Sequence, residues 1–119
     1  MSGEGARLRA SAAHGVAQVL QGRSLKSVLA RERGAFDDPR DRALLEAIVL
    51  DTVRHRRRLE SALGHYMEKP LDRRNPTGHS LLLTGLAQLH VLALPAHAAV
   101  SETVAAARLL GLGAHAGLI

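Results

Sequence analysis

Apolar residues return every three to four positions along most of this chain, the spacing that gives a helix one buried face. From Arg7 to Gln21, Leu8, Ala12, Val16 and Val19 share one side, and Arg7, Ser11, His14, Gln18 and Gln21 share the other. Gly22 supplies the stop. Ser24 can cap a second helix from Leu25 to about Arg33, with Leu25, Val28 and Leu29 as its stripe and Gly34 at its end. After a short loop, Ala35 to Asp38, the pair Asp38-Pro39 is a strong helix start: a capping carboxylate, then a proline whose missing N–H is not needed. The third helix carries Leu44, Leu45, Ile48, Val49 and Val53, a broad apolar face suited to a central position.

The run Arg54-His55-Arg56-Arg57-Arg58 interrupts that face, and Leu59, Ala62, Leu63, Tyr66 and Met67 restart it. A fourth helix, or a bent continuation of the third, is expected. Glu68 to Gly78 reads as a loop. A fifth helix from about His79 to Leu92 carries leucine nearly all round, which predicts burial on most sides. Pro95 breaks it, and Ala98 to Leu110 forms a sixth helix with Val100, Val104 and Ala107 on one side. Ala114 to Ile119 looks like the first turn of a truncated seventh, because the chain stops on the bare apolar pair Leu118-Ile119.

Composition agrees with an all-α single domain. Of 119 residues, 46% are hydrophobic but only 2% aromatic, so the core must be built from Leu, Val, Ile and Ala. There is no cysteine, which removes disulfides, thiolate metal sites and cysteine nucleophiles and fits a reducing cytoplasm. No signal peptide is visible and no apolar stretch approaches the roughly 18 residues of a membrane span. The formal charge is +5, carried almost wholly by arginine, with Lys26 and Lys69 the only lysines. A basic balance points to an anionic partner, of which nucleic acid is the commonest, although an Arg- and Ala-rich genome would give the same balance.

Candidate chemistry is sparse. The seven histidines lack metal-ligand spacing and a carboxylate cluster, so no metal site is expected. His90, on the leucine-rich helix, reads as a satisfied core or boundary histidine. Gly111-Leu112-Gly113 follows a helix rather than a strand, so no nucleotide cofactor is expected in this chain. No nucleophile elbow is present, and the chain is not read as catalytic by itself. Basic surface remains. Arg7 and Arg9 open the first helix, with His14 further along the face of Arg7. Arg54, Arg56, Arg57 and Arg58 form a second cluster. Four arginines in five positions spread around a helix and cannot all face one ligand; the bland alternative is a solvated face paired with Asp51 and Glu60. Arg73 and Arg74 sit on the loop. Arginine grips phosphate bidentately and stacks on bases, which suits RNA, and with almost no aromatic platforms such binding should lean on phosphate and shape.

The segment from Pro95 to Gly111 is the most specific. Pro95-Ala-His-Ala-Ala99, with Glu102-Thr103-Val104, resembles the N-terminal NusB-type domain of the Sun/Fmu family of small-subunit ribosomal RNA methyltransferases. Gly117-Leu118-Ile119 is similar to the start of a stretch in that family. Arg7-Leu8-Arg9-Ala10, Asp41 to Glu46 and Gly85 to Leu89 fall in the matching order. The resemblance implies a bundle of about seven helices in two packed subgroups. It implies a parent enzyme that transfers a methyl group from S-adenosylmethionine to a cytosine C5 of 16S rRNA, its cofactor held in a C-terminal domain absent from residues 1–119. Arg7 and Arg9 match the arginine-rich start by which NusB proteins contact RNA. The expected partners are small-subunit ribosomal RNA and that C-terminal methyltransferase domain. Two other roles stay open: a stand-alone NusB-type antitermination factor, and an intramolecular docking module with little RNA contact, whose surface would be the leucine-rich helix and the apolar stub. A DNA-binding helix-turn-helix finds no convincing recognition helix. Target nucleotide and oligomeric state are not legible.

Overall fold

A computed structural model describes residues 2–66 and 75–111, and among them the only regular elements are six α-helices: α1 Ser2–Leu20, α2 Leu25–Arg33, α3 Pro39–Arg54, α4 Arg56–Tyr66, α5 Pro76–His90 and α6 Ala96–Leu109. The all-helical expectation holds. The expected seventh helix lies outside the described residues, as do Arg73 and Arg74.

Helix α1 packs against α2, α3, α5 and α6. Its sequence allows this because alanines and a glycine flank its larger side chains. Leu8, Ala12 and Val16 enter a cluster with Leu29, Phe36, Leu45, Ile48 and Val49. Ala13 enters another, with Leu81 of α5 and Ala106 and Ala107 of α6. A third cluster joins Leu59 and Leu63 of α4 to Leu82, Leu83 and Ala87 of α5. Phe36, in the loop after α2, is fully buried. No helix among the described residues is long and apolar enough to cross a membrane.

Several expected boundaries move. Helix α1 starts at Ser2, ahead of Arg7, and stops at Leu20, where Gly22 takes φ 105°. The arginine run breaks the α3–α4 rod at one residue, His55, whose φ and ψ of −104° and 20° leave the helical range; Arg56 already opens α4. Helix α5 begins at Pro76, because Asn75 repeats the device of Asp38: its side chain accepts from the Gly78 N–H at 2.9 Å, and proline follows at the first helical position. It ends at His90, before Pro95 can act, and the chain turns through Ala93 at φ 52°. His90 is exposed, neither core nor boundary.

Helix α6 corrects the expected apolar side. Val100 is exposed, and the buried stripe is Ala99, Thr103, Ala106 and Ala107. Small residues win these positions because α6 closes on both α1 and α5. A Cβ at Gly85 would touch the Thr103 methyl at 3.4 Å, and the Glu102 carboxylate lies where a Cβ at Gly5 would stand.

A candidate nucleic-acid interface

The first basic cluster is largely occupied by the fold. Arg7 donates from Nε and Nη2 to both carboxylate oxygens of Glu4, at 2.8 and 3.0 Å. Its Nη1 and Nη2 both donate to the Ala35 carbonyl at 3.2 Å, and its guanidinium lies 4.3 Å from the Phe36 ring centroid. The side chain thus staples the loop after α2 to the start of α1. The pairing raises the Arg7 pKa and lowers that of Glu4, chiefly through their hydrogen bonds. His14 continues the same seam: Nδ1 lies 3.3 Å from Glu32 Oε2, and Nε2 lies 3.3 Å from Gln18, which also accepts from Arg31. Periodicity put Arg7, His14 and Gln18 on one face correctly, but that face carries α2.

Arg9 is 7% exposed. Its Nε donates to Gln88 Oε1 at 2.9 Å and its Nη1 to the Gly5 carbonyl at 3.4 Å. Gln88 in turn donates to the Thr84 carbonyl and to Thr103 Oγ1, both at 3.2 Å. Burial lowers the Arg9 pKa, and the charge of Glu102 opposes the shift. A phosphate could take the Nε edge of this guanidinium only by displacing a core glutamine.

The second cluster is open. Residues Val53 to Arg58 line one depression of about 410 Å³. The break at His55 explains how four arginines that a continuous helix would scatter come to line the same hollow. Two are partly neutralised, as the solvated-face alternative anticipated: Arg54 Nη1 sits 3.5 Å from Asp51 and Arg56 Nε sits 3.3 Å from Glu60. Arg57 and Arg58 are exposed and make no ion pair among the described residues. The N–H groups that open α4 lie in the same place, and a helix start favours an anion. Arg56 also lines a neighbouring cavity with Glu60, His79 and Ser80, a grouping across α4 and α5 that no local sequence pattern announces.

The clusters do not merge. Arg7 stands near the start of α1. The other end of that helix, at Leu20, reaches the cavity that Arg56 shares, about 20 Å further along at 1.5 Å per residue.

A comparison with known sequences gives this bundle its family. The NusB family signature matches residues 6–119. The chain belongs to the NusB family. It is similar to three proteins named ribosomal RNA small subunit methyltransferase B. That of Xanthomonas campestris pv. campestris is 47% identical over 116 residues, 97% of this chain and 26% of that protein. That of Xylella fastidiosa strain 9a5c is 47% identical over 76% of this chain and 22% of its own. That of Vibrio vulnificus strain YJ016 is 43% identical over 87% of this chain and 24% of its own. The chain therefore spans about a quarter of the length of these relatives. The likeness read from Pro95 to Gly111 is to the same NusB-type domain of the methyltransferase branch.

Proposed function

We propose that this chain is the RNA-positioning N-terminal domain of a cytoplasmic 16S rRNA cytosine-C5 methyltransferase. The observation that carries the reading is the arginine-lined depression at the α3–α4 break, in a NusB-family bundle whose relatives are named as ribosomal RNA methyltransferases. Arg57 and Arg58 supply charge free of partners among the described residues, and Arg54 and Arg56 can exchange a carboxylate for a phosphate. Arginine's planar fork suits that exchange. Arg7 and His14 brace the α1–α2 seam and contribute at its edge, while Arg9 belongs to the core.

The methyl donor would sit elsewhere in the parent. S-adenosylmethionine carries a sulfonium cation, which an arginine-lined hollow repels, and the described residues offer no glycine loop after a strand to cradle its nucleoside. The domain's part is to hold ribosomal RNA so that a methyltransferase domain can act on it.

A titration against a small-subunit ribosomal RNA hairpin across salt tests the reading. Each phosphate neutralised contributes about −0.7 to −0.9 to the log–log slope, so a slope of roughly −2 to −4 is expected. Absence of binding at low salt would overturn it and leave intramolecular docking as the better account. For that docking role the leucine-rich helix offers little, since its Leu81, Leu82 and Leu83 are buried; among the described residues the exposed large apolar side chains are Val100 and Leu109 of α6, and the apolar stub lies outside them. An antitermination factor is disfavoured by the names of the relatives.

A further inference from the structure

Helices α2 and α3 run antiparallel, and their side chains show the register. Arg33, at the end of α2, pairs with Glu46 at 3.1 Å. Further along, Val28 and Val49 meet over Gly15, at 3.2 and 3.8 Å from where its Cβ would stand. Leu25 and Val53 then pack against the same core cluster. The start of α2 therefore lies beside the end of α3. Gln21 and Arg56 line one cavity of about 360 Å³, which brings the turn between α1 and α2 to the start of α4 as well. Segments some thirty residues apart in sequence thus meet at this end of the bundle.

This end is basic. Its cations are Arg23, Lys26, Arg54, Arg56, Arg57 and Arg58, all exposed. Asp51 holds Arg54 and Glu60 holds Arg56. Arg23 and Lys26, like Arg57 and Arg58, make no ion pair among the described residues. The far end of the α2–α3 hairpin is mixed instead, with Arg40 and Arg42 answered by Asp37, Asp38 and Asp41. Folding gathers unpaired charge that the sequence scatters. The turn that carries Arg23 is also fixed: the Gly22 and Arg23 N–H groups donate to the Val19 and Gln18 carbonyls, both at 3.0 Å. Gly22 has open space where a Cβ would stand, so the turn faces outward.

We propose that Arg23 and Lys26 join the arginines of the α3–α4 break in one face that docks on the phosphate backbone of a base-paired RNA stem. The inference rests on the RNA-binding reading above and extends it by a second segment and a form of RNA. Packed helix axes stand roughly 8–10 Å apart, so cations on α2, α3 and α4 cover a surface and do not line a single groove. Unpaired strands are held in grooves with aromatic platforms, and of the two aromatic residues in the chain Phe36 is fully buried. Paired RNA is read by its shape and its phosphates, which spread guanidinium and ammonium groups can grip.

Fluorescence anisotropy with the 119-residue chain tests it, using a small-subunit ribosomal RNA hairpin and an unpaired RNA of equal length. The hairpin should bind about fivefold tighter at low salt, since a duplex crowds its phosphates more closely than a single strand. Arg23→Ala with Lys26→Ala should lower the hairpin's log–log salt slope by about 1 to 2. Arg40→Ala, an exposed cation lost from the mixed end, should leave that slope unchanged. Unfolding midpoints measured alongside show that each variant is folded. A full slope in the double variant, or an equal fall in Arg40→Ala, would overturn the joint face and leave the RNA reading at the α3–α4 break standing. Equal or tighter binding of the unpaired RNA would overturn the stem. If neither RNA binds, the RNA reading itself falls and takes this inference with it.

Discussion

The two arginine clusters are alike in composition and opposite in use. At the start of α1 the fold holds both arginines: Arg7, though exposed, staples the loop at Ala35 and Phe36, and Arg9 turns inward to bond Gln88 within the core. At the α3–α4 break, Arg57 and Arg58 stay exposed beside a hollow that their neighbours also line. What separates the clusters is what the adjoining helices do with the same guanidinium. Helix α1 is covered by other helices on most sides, so a long side chain leaving it finds carbonyls, a carboxylate and an amide within reach. The α3–α4 junction sits at an edge of the bundle, and its break removes the continuous surface against which a helix would pack. Arginine count indicates charge; the number of neighbouring helices decides whether that charge is spent on folding or left for a ligand.

The largest expected effect is on stability at Arg9. Arg9→Ala removes two hydrogen bonds and leaves Gln88 Oε1 buried without its donor, a loss of about 2–4 kcal/mol by urea unfolding. Replacing both partners by apolar side chains, Arg9→Met with Gln88→Leu, should recover most of that loss, because a buried polar pair is costly to halve and much less costly to remove whole. An Arg9→Ala protein that unfolds at the wild-type urea concentration yet binds RNA more weakly would reverse the comparison.

Arg57→Ala with Arg58→Ala should do the opposite. Exposed side chains that pair with nothing among the described residues should change stability by less than about 0.5 kcal/mol. The salt slope of RNA binding should fall by about 1 to 2, since each phosphate left without its arginine removes close to one unit. Arg54→Ala should have less effect on affinity, because the guanidinium already shares Asp51. A double variant that keeps the full slope would move the RNA surface away from the α3–α4 break.

Much of the scaffold was legible in local patterns, since capping and periodicity act over a few residues. Ser24, Asp38-Pro39 and Gly22 place helix ends where they fall, and the leucine-rich segment is buried as its composition demands. Asn75-Pro76 carried the same signal as Asp38-Pro39 and was obscured by the surrounding loop residues. Tertiary choices were not legible. Val100 looked like core, but α6 approaches α1 and α5 so closely that only small residues fit, and the stripe shifts to Ala99, Thr103 and Ala106. The inward turn of Arg9 depends on Gln88, 79 residues away, and the His79–Glu60 pair on two helices meeting. No spacing rule within one helix encodes either. The opposite surprise, four arginines lining one hollow, follows from a break at His55 that periodicity located only to within the run.

The smallest expected effect separates the two roles open to Arg7. Its Glu4 partner has a pKa held below the ordinary 4.5 by the Arg7 hydrogen bond. A carboxylate whose folded pKa is depressed contributes stability that is fully present above its unfolded value and is lost as pH falls through the folded value. The wild-type unfolding midpoint should therefore drop between the unfolded and folded values of Glu4, and Glu4→Gln should flatten that part of the pH profile while leaving the midpoint at neutral pH only slightly lower. Because the pair is exposed, salt should shrink the difference. Arg7→Ala should remove the same pH dependence and cost more at neutral pH, since it also gives up the Ala35 carbonyl and the Phe36 ring. In RNA binding the two substitutions part company. If Arg7 serves the fold alone, Glu4→Gln leaves affinity unchanged; if its guanidinium is shared with phosphate, freeing it from Glu4 tightens binding, and anisotropy at low salt reads the difference.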